Sequence, residues 1–281
     1  MPASLWLIGP YFLALVVFLA LPLSNVLQLS FYTYSPITIW TTDLTLQNYH
    51  KIFTPYFAKI TLRTVRIGAL ATFFCVLLGY PLAYYFSRCS KRSLSVGMFI
   101  LVMPLMVSAV VGAFGWIVIL GRNGLLNGLL KTLNIDADSS ILYTETAVVV
   151  ALVHFLLPLM VLPLMASMEK ISMRLEEAAT NLGASPLFII RRIIIPLSRA
   201  GLVSGCLLCF TVAISVVVTS ALLGGRSGRM LGNEIYDQVI TAYDWPFASS
   251  LAIVLVTLIV IALSAALVAA RRGNRTKGMR S

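Results

Sequence analysis

Two groups of residues in this chain could do chemistry. One is the polar stretch Met168–Pro196, MEKISMRLEEAATNLGASPLFIIRRIIIP. Glu177 offers a charge to a basic partner, and Ala178 and Ala179 keep a face small enough for close approach. Gly183 permits a left-handed turn, and Ser185 with Pro186 supplies a hydroxyl cap and a ring already at helical φ. Pro196 limits the second of the two short helices expected here. This is the chemistry of docking, not of bond breaking. The other group is a scatter of polar side chains inside apolar runs: Ser108, Trp116, His154, Thr211, Ser215, Thr219 and Ser220. These are candidates for a solute pathway. A Ser or Thr there more often bonds its own backbone or a neighbouring helix, whereas an ionisable group such as His154 is a functional hypothesis by default.

The chain has no glycine-rich phosphate loop ending in Lys-Ser/Thr, no His-Glu-x-x-His and no intramembrane Asp pair. Its four cysteines, Cys75, Cys89, Cys206 and Cys209, lack metal-ligand spacing. The sequence therefore predicts no catalytic residue, no metal and no cofactor of its own.

These groups must be positioned by membrane helices. Of 281 residues, 59% are hydrophobic and 11% charged, with mean hydropathy +0.93; a soluble domain carries about 25% charged residues. Six apolar runs are long enough to span a bilayer: Leu5–Leu27, Ile67–Tyr85, Val96–Leu120, Ala147–Met165, Leu202–Leu223 and Leu251–Ala270. The expected fold is all-α, with residues 1–60 forming a first span and outer loop, 61–270 the core and 271–281 a basic tail.

The net charge of +11 is unevenly placed. With the N-terminus inside, the inner loops and tail hold thirteen basic residues against three acidic ones. That asymmetry puts the 168–196 loop and both termini in the cytoplasm. It also makes the tail a topology anchor beside anionic lipid, not a nucleic-acid site. The first span alone points the other way, because Lys51, Lys59, Arg63 and Arg66 come after it.

Glu177-Ala178-Ala179, Gly183, Ile193 and Pro196 resemble the EAA motif of binding-protein-dependent ABC importer permeases; Ile195 stands where that pattern usually has Leu. Leu223-Gly224-Gly225, Leu231-Gly232-Asn233 and Asp244-Trp245-Pro246-Phe247 resemble the outer loop of the spermidine/putrescine group. Leu78-Gly79-Tyr80-Pro81, Pro104-Leu105 and Asn123–Asn127 agree with that group. Gly112 departs from it, since relatives often carry Arg just before the Phe-Gly-Trp stretch.

The resemblance implies a type I permease fold in a bacterial inner membrane and a loop that couples to a separate ATPase dimer holding ATP and Mg. It also implies a second, non-identical permease and a periplasmic or lipid-anchored binding protein. Docking of that protein would fall near Asn233, Asp244 and Trp245; the alternative is that Asp244-Trp245-Pro246 only caps and anchors the sixth helix at the membrane interface. The cargo would be a small polar solute: a polyamine, opine, amino-acid derivative or phosphonate. A polycation needs acidic or aromatic partners, and no span holds an acid. The rivals are a stand-alone secondary carrier or channel, and a non-transporting scaffold.

Overall fold

The computed structural model describes residues 3–132 and 141–275; the expected anchor residues Lys277 and Arg280 lie outside the described residues. The elements are α1 (Ala3–Leu29), β1 (Tyr32–Ser35), β2 (Ile39–Leu44), α2 (Gln47–Ile52), α3 (Pro55–Arg88), α4 (Lys91–Met106), α5 (Ala109–Leu120), α6 (Leu125–Thr132) and α7 (Glu145–Met168). They continue with α8 (Met173–Asn181), α9 (Pro186–Ile189), a π-helical turn (Ile190–Ile194), α10 (Ile195–Leu197), α11 (Arg199–Ser215), α12 (Val218–Gly224), α13 (Leu231–Ile240) and α14 (Trp245–Arg275).

Among the described residues four helices are long and apolar enough to cross a membrane: Pro55–Arg88, Ala109–Gly128, Glu145–Met168 and Trp245–Ala266. The bent pair Pro186–Leu197 and Arg199–Ser215 makes a fifth if taken as one span, and a shorter apolar helix covers Val16–Leu29. Two of the six expected spans are not single helices. The run Val96–Leu120 breaks at Val107 and Ser108, both extended with ψ near 136–137°. The run Leu202–Leu223 breaks at Val216, also extended, and resumes at Val218. A second departure from the all-α expectation is the antiparallel β1–β2 hairpin, with Thr33 opposite Thr41 and Tyr34 opposite Trp40. Its aromatic and β-branched residues suit a pleated surface.

Two compact units share the chain. One comprises residues 1–61 with 231–258. Its core is Ile52, Phe247 and Leu251, with the Phe57 ring edge-on to Phe247 at 4.9 Å. The other comprises residues 62–230 with 259–281 and is organised around α7. Thr144 caps α7 by accepting from Ala147 N–H at 3.4 Å, and Glu145 places a carboxylate in the first turn. Glu145 also ion-pairs with Arg63 at 3.3 Å and with Arg66.

Helix α11 lies against α7 through two glycines one helical turn apart. A Cβ on Gly201 would stand 2.4 Å from the Pro163 carbonyl oxygen, and one on Gly205 would stand 2.7 Å from Met160 Sδ. Small residues at this spacing let helix backbones approach closely. Cys209, one turn further, donates to the Leu156 carbonyl at 3.5 Å, so its thiol takes part in the same packing.

Candidate coupling elbow and solute cavity

Helix α8 stops as its sequence dictates. Gly183 adopts φ +81°, its N–H donates to Thr180 O at 2.9 Å, and Ala184 N–H donates to Ala179 O at 3.0 Å. That pair of bonds is a Schellman motif, which satisfies carbonyls the helix end leaves free. The next helix starts at once. Ser185 Oγ accepts from Phe188 N–H at 3.4 Å, with Pro186 in the first turn. Pro196 has no N–H to offer the preceding turn, and the chain widens there into the π turn Ile190–Ile194.

The loop has an inner and an outer face. Ala179, Ile189, Ile193 and Ile194 pack with the core of their unit. Glu177, Ala178, Gly183, Ser185, Pro186, Leu187 and Phe188 are not buried, and Leu182 is exposed at 88%. The motif residues Glu177, Ala178 and Gly183 thus share the surface side with the exposed Leu182, while Ile193 and Pro196 sit partly buried behind it. Such a surface, small and apolar with one carboxylate, can receive a groove on another protein.

Sequence reasoning missed the anchor of this loop. Glu176, next to the exposed Glu177, turns inward: Arg88 Nε donates to its Oε1 at 3.0 Å and Arg88 Nη2 to the same oxygen at 2.5 Å. Tyr84 Oη donates to Oε2 at 2.8 Å, and Arg88 Nη2 also reaches the Ile171 carbonyl at 3.2 Å. The signal was the adjacency of two acids on a helix, which points them to different faces.

A second site lies where the two broken runs meet α7. A cavity of about 270 Å³ is lined by Ser108 and Gly112 at the α4–α5 break, Trp116, His154 on α7, and Val216 to Thr219 at the α11–α12 break. Four of the seven pathway candidates, Ser108, Trp116, His154 and Thr219, are brought together here, and Thr211 is not among the lining residues. His154 is exposed, although α7 is otherwise largely buried, and meets the Trp116 ring edge-on at 5.6 Å. Ser215 does not line the cavity; it donates to its own backbone at Val212 O, 3.0 Å away. Ser220 likewise bonds Val217 O at 3.0 Å. Broken membrane helices expose backbone polar groups only where these line a cavity or are covered by protein. Among the described residues no acidic side chain lines the walls.

The expected outer docking residues take structural places in their own unit. Asp244 is buried and caps α14, accepting from Phe247 N–H at 3.0 Å, while Lys51 pairs with it at 3.6 Å. Asn233 is buried at 5% exposure. Trp245, partly exposed, stacks on Trp40 of the hairpin at 5.6 Å.

The model of the family described as binding-protein-dependent transport system inner membrane component matches residues 75–274. The chain is 34% identical over 248 residues to the spermidine/putrescine transport system permease protein PotB of Haemophilus influenzae, covering 88% of this chain and 87% of that one. It is 35% identical to PotB of Escherichia coli K12, covering 86% and 88%. It is also 29% identical to the inner membrane ABC transporter permease protein YdcU of that organism, covering 92% and 87%. Among solved structures, a bacterial alginate ABC transporter in complex with an alginate pentasaccharide-bound periplasmic protein superposes with TM-score 0.78 at 16% identity, over 95% of each chain. The inward-facing methionine transporter MetNI gives TM-score 0.57 at 16% identity, over 77% of this chain and 95% of that one. This chain belongs to the binding-protein-dependent transport system inner membrane components: it is a multi-pass permease subunit of an ABC importer, a family in which a separate subunit hydrolyses ATP.

Proposed function

We propose that this permease is one of two non-identical membrane subunits of a bacterial inner-membrane importer. Its 173–196 elbow docks on a cytoplasmic ATPase that binds ATP and Mg, and its α5–α7–α12 cavity forms part of the solute path. The observation that carries the coupling role is the exposed Glu177–Ala178–Gly183 surface on a helix end fixed by a Schellman turn and by Arg88–Glu176. A rigid loop transmits a neighbour's movement to the helices on either side of it, here α7 and α11. The charge asymmetry supports a cytoplasmic loop and cytoplasmic termini.

For cargo, the names of the relatives make polyamine the first class to assay. The Trp116 ring offers a cation a π face, and the acids such a cargo needs would come from the partner permease. A binding protein would dock on the outer face, where Ile37 and Phe53 are exposed at 93% and 82%.

The test is reconstitution with the ATPase, the partner permease and the binding protein in proteoliposomes. ATP-driven uptake of labelled spermidine or putrescine that stops when the ATPase is omitted supports the reading. Ion-gradient-driven uptake by this chain alone would establish the secondary-carrier alternative.

A further inference from the structure

Where the helix Pro186–Leu197 meets α11 there is a feature that the exposed Glu177–Ala178–Gly183 surface does not explain. Arg191, Arg192 and Arg199 line a concavity of about 700 Å³, completed by Ser185, Leu187, Phe188 and Pro196. No acidic side chain among the described residues lines it. Among the described residues, none of the three arginines is ion-paired to a carboxylate. Their backbone is held in place from beneath by the buried Ile189 and Ile194. The three like charges line one concavity and are solvent-exposed, so an anion there would meet all three.

Geometry gives the depth of the site. Helix α11 packs along α7, a 24-residue span, and so crosses the bilayer with it. The helix Pro186–Leu197 meets α11 at 72° and therefore runs close to the membrane plane. Arg199 opens α11, where the apolar run begins. The concavity thus sits where acyl chains give way to headgroups, with guanidinium groups beside exposed Leu187 and Phe188.

We propose that the inside of this elbow binds the phosphate headgroup of an anionic phospholipid, with the arginines on the phosphate oxygens and Leu187 and Phe188 against the glycerol and upper acyl chain. Guanidinium forks match phosphate oxygens in pairs, and basic pockets at the ends of membrane helices select anionic headgroups. A lipid fits better than an acidic protein surface because apolar and cationic walls share one concavity at the level of the bilayer boundary. The inference rests on this chain being a membrane permease, but not on coupling or on which leaflet the elbow faces. Its failure is therefore separable from failure of the coupling role.

The experiment uses the assembled transporter, equilibrated with mixed phosphatidylglycerol and phosphatidylcholine vesicles, with retained lipid counted by native mass spectrometry. The wild type is expected to retain phosphatidylglycerol over phosphatidylcholine, with retention falling about five-fold for each Arg→Gln change among Arg191, Arg192 and Arg199. Arg→Lys variants, which keep the charge but lose the paired fork, should retain an amount between the wild type and the Gln variants. Equal retention of the two lipids by the wild type overturns the proposal, and that arm needs no variant to fold. So does loss of the ATPase from the Gln variants with lipid retention unchanged, which would assign the concavity to a protein interface. Displacement of phosphatidylglycerol by inorganic phosphate would assign it to a soluble anion and also overturn it.

Discussion

Arg88, the last residue of α3, holds Glu176 of α8 through two nitrogens on one carboxylate oxygen, at 3.0 and 2.5 Å. The two side chains are 14% and 15% exposed, so water screens the pair only weakly. The 168–196 loop is thereby tied to the α3 end as well as to its own flanking helices.

Removing one partner leaves the other charge partly buried and unsatisfied. Arg88→Ala is expected to loosen the loop by roughly 2 kcal/mol, within the range for hydrogen bonds to charged groups. The measurement is a double-mutant cycle with Glu176→Gln, read by hydrogen exchange of residues 173–185 and by coupled uptake. Strictly additive effects would show that the pair does not act as a unit.

Gly183 isolates the role of the turn. Nothing stands within 4 Å of a Cβ built there, so any penalty comes from φ +81° alone. Gly183→Asn, which tolerates this region, should keep most ATP-driven uptake, and Gly183→Ala should lose part of it through strain of about 1–2 kcal/mol. Gly183→Pro also deletes the N–H that bonds Thr180 O, and should uncouple hydrolysis from uptake while membrane insertion persists. Uptake at wild-type level in the Pro variant would remove the turn from the mechanism.

How much was legible in the sequence depended on whether the signal was local. The turn at Gly183 and the restart at Ser185-Pro186 were readable because each is fixed by residues within five positions. The breaks at Val107–Ser108 and Val216–Val217 were not. Val, Ser and Thr there look like any apolar run, and what permits the breaks is the meeting of α5, α7 and α12 around one cavity. The pair Arg88 and Glu176 spans 88 positions and carried no local mark beyond two adjacent acids. The hairpin was different: Tyr, Thr, Trp and Ile alternating about Ser35-Pro36 is a strand signal, passed over beneath the stronger helical one. The Gly201–Gly205 spacing was likewise visible as small residues four apart.

That spacing yields a stability prediction. A Cβ on Gly205 would meet Met160 Sδ at 2.7 Å and Met160 O at 3.2 Å. The sulfur can move aside, but the carbonyl cannot without shifting α7. Gly205→Leu should cost about 1–3 kcal/mol as overpacking does and lower the amount of folded transporter in detergent. The matching change at Gly128, where a Cβ meets nothing within 4 Å, should leave it nearly unaffected. Equal yields of the two variants would mean that α7 and α11 are not closely packed in the assembled protein.

Gly112 and Gly115 give the sharpest test of the cavity. Both lie on α5, both have open space where a Cβ would stand, and they are three residues apart. Of the two, Gly112 alone lines the cavity with Ser108, Trp116 and His154. Gly112→Phe adds a ring to a space of about 270 Å³ from a position where a Cβ meets nothing within 4 Å, so folding and ATPase assembly should be retained while uptake falls at least ten-fold, the equivalent of about 1.4 kcal/mol. Gly115→Phe adds the same ring to the same helix outside the cavity, and should leave uptake within about two-fold of wild type, as surface changes do. Solute flux undiminished in Gly112→Phe would show that cargo passes elsewhere, whatever the broken helices suggest. A loss in Gly112→Phe accompanied by retained binding-protein-stimulated ATP hydrolysis would place the block in the path itself, not in the elbow that drives it.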